Sequence, residues 1–193
     1  MKITTLIDKH EMLRLWAIGE IYVDLLNPEN RETALKHLSL LNAKDLISER
    51  KGIEQILKKH HWSLIDFIPE DTIWYKAILE LNKPEFYKLN NLPVDDLGKI
   101  TNNTFRVAYA ANIIRIKPDL NRRISGIIDA MKKGEVQFSG ITLLASEVNG
   151  PYTILEGNGR LISLYNLEFI EKLKVCAERQ IEVVLGLSDA EIA

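Results

Sequence analysis

The run Thr153-Ile154-Leu155-Glu156-Gly157-Asn158-Gly159-Arg160-Leu161-Ile162-Ser163-Leu164 restricts the fold of this chain more than any other stretch. Apolar, β-prone residues end in an acid and two glycines, and an apolar pattern of helical period opens directly behind the arginine. A strand bending sharply into a helix accommodates that order. The bend would gather loop N–H groups and the positive end of the helix dipole at one point, which favours an anion. Arg160 would present a planar fork to phosphate or carboxylate oxygens, and Glu156 would stand where it can bind a metal ion or take a proton. The expected site is therefore a phosphate-handling bend formed by Glu156, Gly157, Asn158, Gly159 and Arg160.

Strand and helix signals alternate around this bend. Residues 72–81 are rich in aromatic and β-branched side chains and read as a strand. Val107, Ala108, Ala111 and Ile114 form a helical pattern that Lys117-Pro118 ends. Asp119 or Asn121 caps the next helix, with Ile124, Ile127, Ile128 and Met131 inward and Gly134 as its stop. Residues 138–146 and 152–155 read as strands joined by the turn Val148-Asn149-Gly150-Pro151, and 181–185 as a last strand. Residues 1–68 read as helical throughout. Leu6, His10, Leu13, Ala17 and Ile21 fall at three-to-four spacing, Asn27-Pro28-Glu29-Asn30 separates two helices, and Ile53, Ile56 and Leu57 share a face of a third. The texture changes at Pro69-Glu70-Asp71. The expectation is an α/β (α+β) domain over 69–193, a small mixed sheet with packed helices, behind an N-terminal helical extension over 1–68.

Composition narrows the function classes. A net charge of −2 gives no global field toward nucleic acid or anionic lipid. The single cysteine, Cys176, excludes an internal disulfide framework and a cysteine-rich metal centre, and reads as a small half-buried helical residue. Without an apolar run near 18 residues or a secretory leader, the chain reads as cytoplasmic with no membrane partner. Secondary site candidates are Arg122 and Arg123, which would add phosphate contacts from a helix start or else form a solvated face. Asp95 and Asp96 would supply a metal-binding or basic carboxylate, or else cap a helix. His60-His61-Trp62 lacks an acid or cysteine at ligand spacing and reads as a helix end packing Trp62 into the core, so no metal centre is expected there.

The order helix, strand, Asn-Gly turn, strand, Glu-Gly-x-x-Arg, helix, strand resembles the ParB/sulfiredoxin-like superfamily. Glu156, Gly157 and Arg160 match its loop and Leu161 its apolar follower, within a resemblance over roughly residues 70–193 that is strongest over 120–185. Members hold nucleotide phosphates with this loop, in CTP-dependent chromosome partitioning, ATP-dependent sulfinic acid reduction and free-serine phosphorylation. The resemblance implies ATP or another nucleotide, Mg²⁺, and kinase-like phosphoryl transfer or hydrolysis on a small molecule. Asn158-Gly159 replaces the residue pairs that carry chemistry in characterised branches, and the sulfiredoxin cysteine would fall at Asn158, which argues against redox activity. No arginine-rich CTP loop, helix-turn-helix or basic face is legible, so a partition protein or DNA-acting nuclease is disfavoured. Glu156-Gly157-Asn158-Gly159-Arg160 also resembles the core of the Fic motif, His-Pro-Phe-x-(Asp/Glu)-Gly-Asn-Gly-Arg-x-x-Arg, which implies nucleotidyl transfer. There Tyr152 stands for the catalytic histidine, Thr153 for the proline, Ile154 for the phenylalanine and Ser163 for the second arginine. A phenol of pKa near ~10 is a poor general base. A further reading is a non-catalytic nucleotide sensor whose N-terminal helices engage a protein partner or a second copy.

Overall fold

A computed structural model describes residues 1–190 except Lys44, His61 and Phe67. Six strands, β1 (Lys2–Ile7), β2 (Ile73–Glu80), β3 (Leu89–Asn91), β4 (Thr142–Ala145), β5 (Tyr152–Glu156) and β6 (Gln180–Leu187), form one mixed sheet in the order β1-β2-β6-β4-β5-β3. β4 runs parallel to β6 and β3 parallel to β5, and the other pairings are antiparallel. Successive strand side chains leave opposite faces. Here Ala77, Leu79, Leu143, Ile154, Val183 and Leu185 enter one core, while Trp74, Leu144, Leu155 and Val184 enter a second. Near-continuous apolar strands are what a sheet buried on both sides requires.

The second core is closed by α1 (Lys9–Asp24), α2 (Arg31–Leu41) and α3 (Leu46–His60), which bury Met12, Trp16, Ile21, Leu41, Ile53 and Leu57. Three short helices follow: α4 (Trp62–Ile65), α5 (Lys83–Phe86) and α6 (Asp95–Thr101). The first core is closed by α7 (Val107–Ile116), α8 (Arg122–Lys132) and α9 (Asn158–Tyr165), through Val107, Ile114, Ile124, Ile127 and Leu161 among others. Asn121, rather than Asp119, caps α8, its Oδ1 accepting the Ile124 N–H at 3.1 Å.

The first 68 residues differ from the helical extension expected of them. Lys2–Ile7 is an edge strand paired antiparallel with β2, and Leu6, expected to begin a helical stripe, is 66% exposed. The run Ile3-Thr4-Thr5 favours extended backbone, and Asp8 starts α1 behind it by accepting the Glu11 N–H at 2.7 Å. α1–α3 cover the sheet as the third layer of a sandwich while β1 belongs to the sheet itself, so one core runs across the boundary expected at 68/69. Cys176 is half-buried as expected, but lies in irregular chain rather than a helix. β3, α5 and α6 lie between the strand expected over 72–81 and the helical pattern that begins at Val107.

α1 meets the sheet side of the molecule backbone to backbone. Gly140 has φ +78°, and a Cβ there would lie 2.1 Å from the Leu15 carbonyl oxygen and 3.0 Å from the Gly19 Cα. No side chain fits between. Gly140→Ala is expected to destabilise the fold by about 3 kcal/mol or more, from the left-handed backbone and the clash together. Gly126, exposed within α8 with open space at its Cβ position, is the control. Gly126→Ala should stabilise by about 0.5–1 kcal/mol. Urea midpoints of the two variants check both signs.

Candidate functional site

β5 ends at Glu156, and Gly157 turns the chain into α9. Gly157 has φ +100°, and a Cβ there would meet Ile141 at 2.8 Å, so the bend requires glycine. With glycine in the capping position, no side chain caps the first turn of α9, whose N–H groups have no acceptor within the helix. That turn forms one wall of a cavity of about 490 Å³. The cavity's polar lining is Glu20, Asp96, Asn121, Arg123, Glu156, Asn158 and Arg160, and aliphatic side chains such as Val23, Leu92, Leu97, Ile124 and Ile127 supply most of the rest. All five residues of the expected bend are therefore brought together at one cavity.

Arg160 does not stand out as an open fork. It is 1% exposed, and its Nη1 donates to the carbonyls of Gln137 (3.1 Å) and Ser139 (2.5 Å) while Nη2 donates to Glu156 Oε2 at 2.5 Å. Three of its donations fix protein groups. Among the described residues its buried Nε has no hydrogen-bond partner, and neither does the buried Oδ1 of Asn158, whose Nδ2 reaches the Ile154 carbonyl. Buried polar atoms are normally paired, so these two on the cavity wall mark places for water or ligand.

Glu156 faces a second acid that sequence reading missed. Glu20 projects from α1, is buried, and lies close enough to Glu156 for the two carboxyls to share a hydrogen bond once one carries a proton. Its ion pair is with Arg123, 3.5 Å away on α8. Burial pushes the Glu156 carboxyl up to about 7 against the pull of Arg160, and the charge of Glu20 pushes it the same way as burial. A signal for Glu20 was present: it lies among the buried Trp16, Ala17 and Ile21, an acid on the inward face of an amphipathic helix.

The other candidates separate. Arg123 lines the cavity with its side chain 58% exposed, whereas Arg122 is exposed and takes no part in the lining. Asp95 and Asp96 occupy the first turn of α6; only Asp96 reaches the cavity, and it pairs with Lys99 at 3.1 Å. His61 lies outside the described residues, and with it the run His60-His61-Trp62. Among the described residues no group of three or more His, Cys, Asp or Glu could hold a metal ion, and no helix is long and apolar enough to cross a membrane. Tyr152, in the position of the Fic histidine, is buried on a strand and donates its hydroxyl to the Val148 carbonyl at 2.7 Å. Burial and the charge of Glu85 raise it to about 12, which disqualifies it as a base near neutral pH. Comparison with protein families, with curated proteins and with solved structures finds no match to this chain.

The raised Glu156 fixes the sign of a pH dependence. The folded state holds a proton up to about pH 7 that the unfolded carboxyl, with its ordinary value of 4.5, releases earlier. Between those limits the folded state binds more protons, so stability falls as pH rises, by up to about 3 kcal/mol across the window. Glu156→Gln should flatten that slope in thermal melts recorded from pH 4 to 8, and a parallel slope in both proteins would disprove the assignment.

Proposed function

We propose that this protein binds a nucleotide or a phosphorylated small molecule at the bend from Glu156 to Arg160 and catalyses phosphoryl transfer or hydrolysis there. One observation carries the reading: the uncapped first turn of α9 opens into a cavity that also holds Arg123, the unpartnered Arg160 Nε and a pair of buried carboxyls. A helix start beside a guanidinium is a ready anion site. The cavity volume of about 490 Å³ falls within the range of small-molecule and cofactor pockets. The reading is also supported by the resemblance of the strand, Glu156-Gly157-x-x-Arg160 and helix to the ParB/sulfiredoxin-like loop.

In this mechanism the first-turn amides of α9 and Arg123 hold the phosphoryl oxygens and steady the charge that develops on them. Arg160 acts beneath them. By gripping Glu156 and the carbonyls of Gln137 and Ser139, it fixes the bend in the geometry that aims those amides. A nucleotide would enter with Mg²⁺ on its own phosphates, the remaining positions of the metal filled by water. Glu20 and Glu156 do not fit as its seat. Each already faces an arginine, and Glu156 retains a proton close to neutral pH.

Isothermal titration with ATP, CTP, ADP and inorganic phosphate in the presence of Mg²⁺ tests the proposal. Arg123→Ala, at an exposed position, should leave the fold intact and weaken binding about tenfold, the loss of one charge-assisted contact. Arg160→Ala should abolish binding and lower the melting temperature, since it frees a buried acid and slackens the bend. Wild-type protein that binds none of these compounds at millimolar concentration refutes the reading.

A further inference from the structure

We infer that Glu20 and Glu156 hold a single proton between them and form the acid–base group of the cavity. The reaction written below rests on the phosphoryl-transfer reading; the shared proton does not.

The packing makes the pair. Gly19 lies so close beneath Arg160 that a Cβ on it would be 2.9 Å from Nη2, and Glu20 follows it on the same helix. α1 thereby delivers a carboxyl to the end of β5, where Glu156 already sits on Arg160. Both acids are almost fully enclosed, Glu20 at 1% and Glu156 at 6% exposure. Two carboxylates side by side at low dielectric repel each other strongly, and one proton held between them removes the repulsion and supplies a hydrogen bond. Among the described residues, the charged groups that line the cavity with the pair are Arg160 from α9, Arg123 from α8 and Asp96 from α6. Of these, Arg160 is fixed by three hydrogen bonds, one to Glu156 Oε2 and two to the carbonyls of Gln137 and Ser139, while Arg123 reaches Glu20 from solvent at 3.5 Å. Glu156 is therefore the fixed member. Glu20, the other member, meets Arg123, whose side chain is 58% exposed.

For a hydroxyl acceptor and a nucleoside triphosphate the step balances. The hydroxyl oxygen forms a bond to the γ-phosphorus, the bond from that phosphorus to the bridging oxygen breaks, and its electron pair leaves with the nucleoside diphosphate. The hydroxyl proton passes to the ionised carboxylate of the pair.

Carbon-13 NMR of protein labelled at the glutamate Cδ reads the pair directly, without ligand. One carboxyl should titrate near neutral pH. Glu20→Gln should move that midpoint to lower pH by removing the neighbouring charge, and Arg123→Gln, on the surface, should move it to higher pH by removing the countercharge. If Glu20→Gln fails to fold, the Arg123→Gln shift decides alone. Ordinary carboxylate titration of both acids, or a midpoint that the folded variants leave in place, overturns the inference. Titration calorimetry with ATP in two buffers of different ionisation enthalpy then counts protons: wild-type protein should take up a proton near pH 7.5 on binding, and Glu20→Gln measurably less. Proton uptake unchanged in Glu20→Gln removes Glu20 from the exchange. Absence of ATP binding refutes the proposed function but leaves the NMR result to judge the shared proton.

Discussion

A buried guanidinium holds the working end of this molecule together. Arg160 is 1% exposed, and a charge so enclosed persists only if its donors are answered by protein groups. Those of Nη1 and Nη2 are answered, by Glu156 at the end of β5 and by the carbonyls of Gln137 and Ser139 ahead of β4. One side chain thus ties the strand that enters the bend to the segment feeding its neighbour in the sheet. An ion pair of this kind contributes little net stability against a hydrophobic replacement, because desolvation offsets most of the attraction. Its contribution is positional. It sets the direction of the first turn of α9 and holds a carboxyl where hydrocarbon would otherwise pack.

The third layer gives that position its chemistry. α1 crosses the segment ahead of β4 at Gly19 and Gly140, where neither residue has room for a Cβ, and the close approach carries Glu20 into the cavity. A longer helix-to-sheet distance would leave Glu20 short of Glu156. The cavity lies beyond the carboxyl end of β5, between α1, α8 and α9, the place where open α/β sheets commonly receive ligands. Its floor and walls come from residues far apart along the chain, so the site exists only once the three layers have closed.

What the sequence disclosed follows from how local each feature is. The bend was legible because acid, glycines and arginine are contiguous, and β2, α7, α8, β5 and β6 because their apolar periods are long enough to declare a geometry. β1 was misread because Leu6 falls by chance on the spacing of the stripe that follows it, while its partner strand lies across the chain in β2. β3, α5 and α6 are three, four and seven residues long, too short to show a period. The inward turn of Arg160 was hidden for another reason. An arginine behind a glycine loop serves equally as a ligand fork or as an internal strut, and the choice is made by the carbonyls of Gln137 and Ser139, whose approach no local pattern encodes.

An anion-binding turn lined by acids is self-defeating unless the charge is managed. Glu20, Glu156 and Asp96 line the cavity with Arg123 and Arg160, and Asp96 is answered by Lys99. A single proton on the buried pair removes one negative charge facing the cavity, and the burial that raises Glu156 makes the proton available near neutral pH. On the proposed reading, an arriving phosphate would then meet helix amides and Arg123 with one negative charge fewer in the wall behind them. The same phosphate, by adding negative charge beside the pair, would strengthen the hold on the proton. Anion binding and proton retention would reinforce each other, so two acids buried together are compatible with the proposed phosphate site.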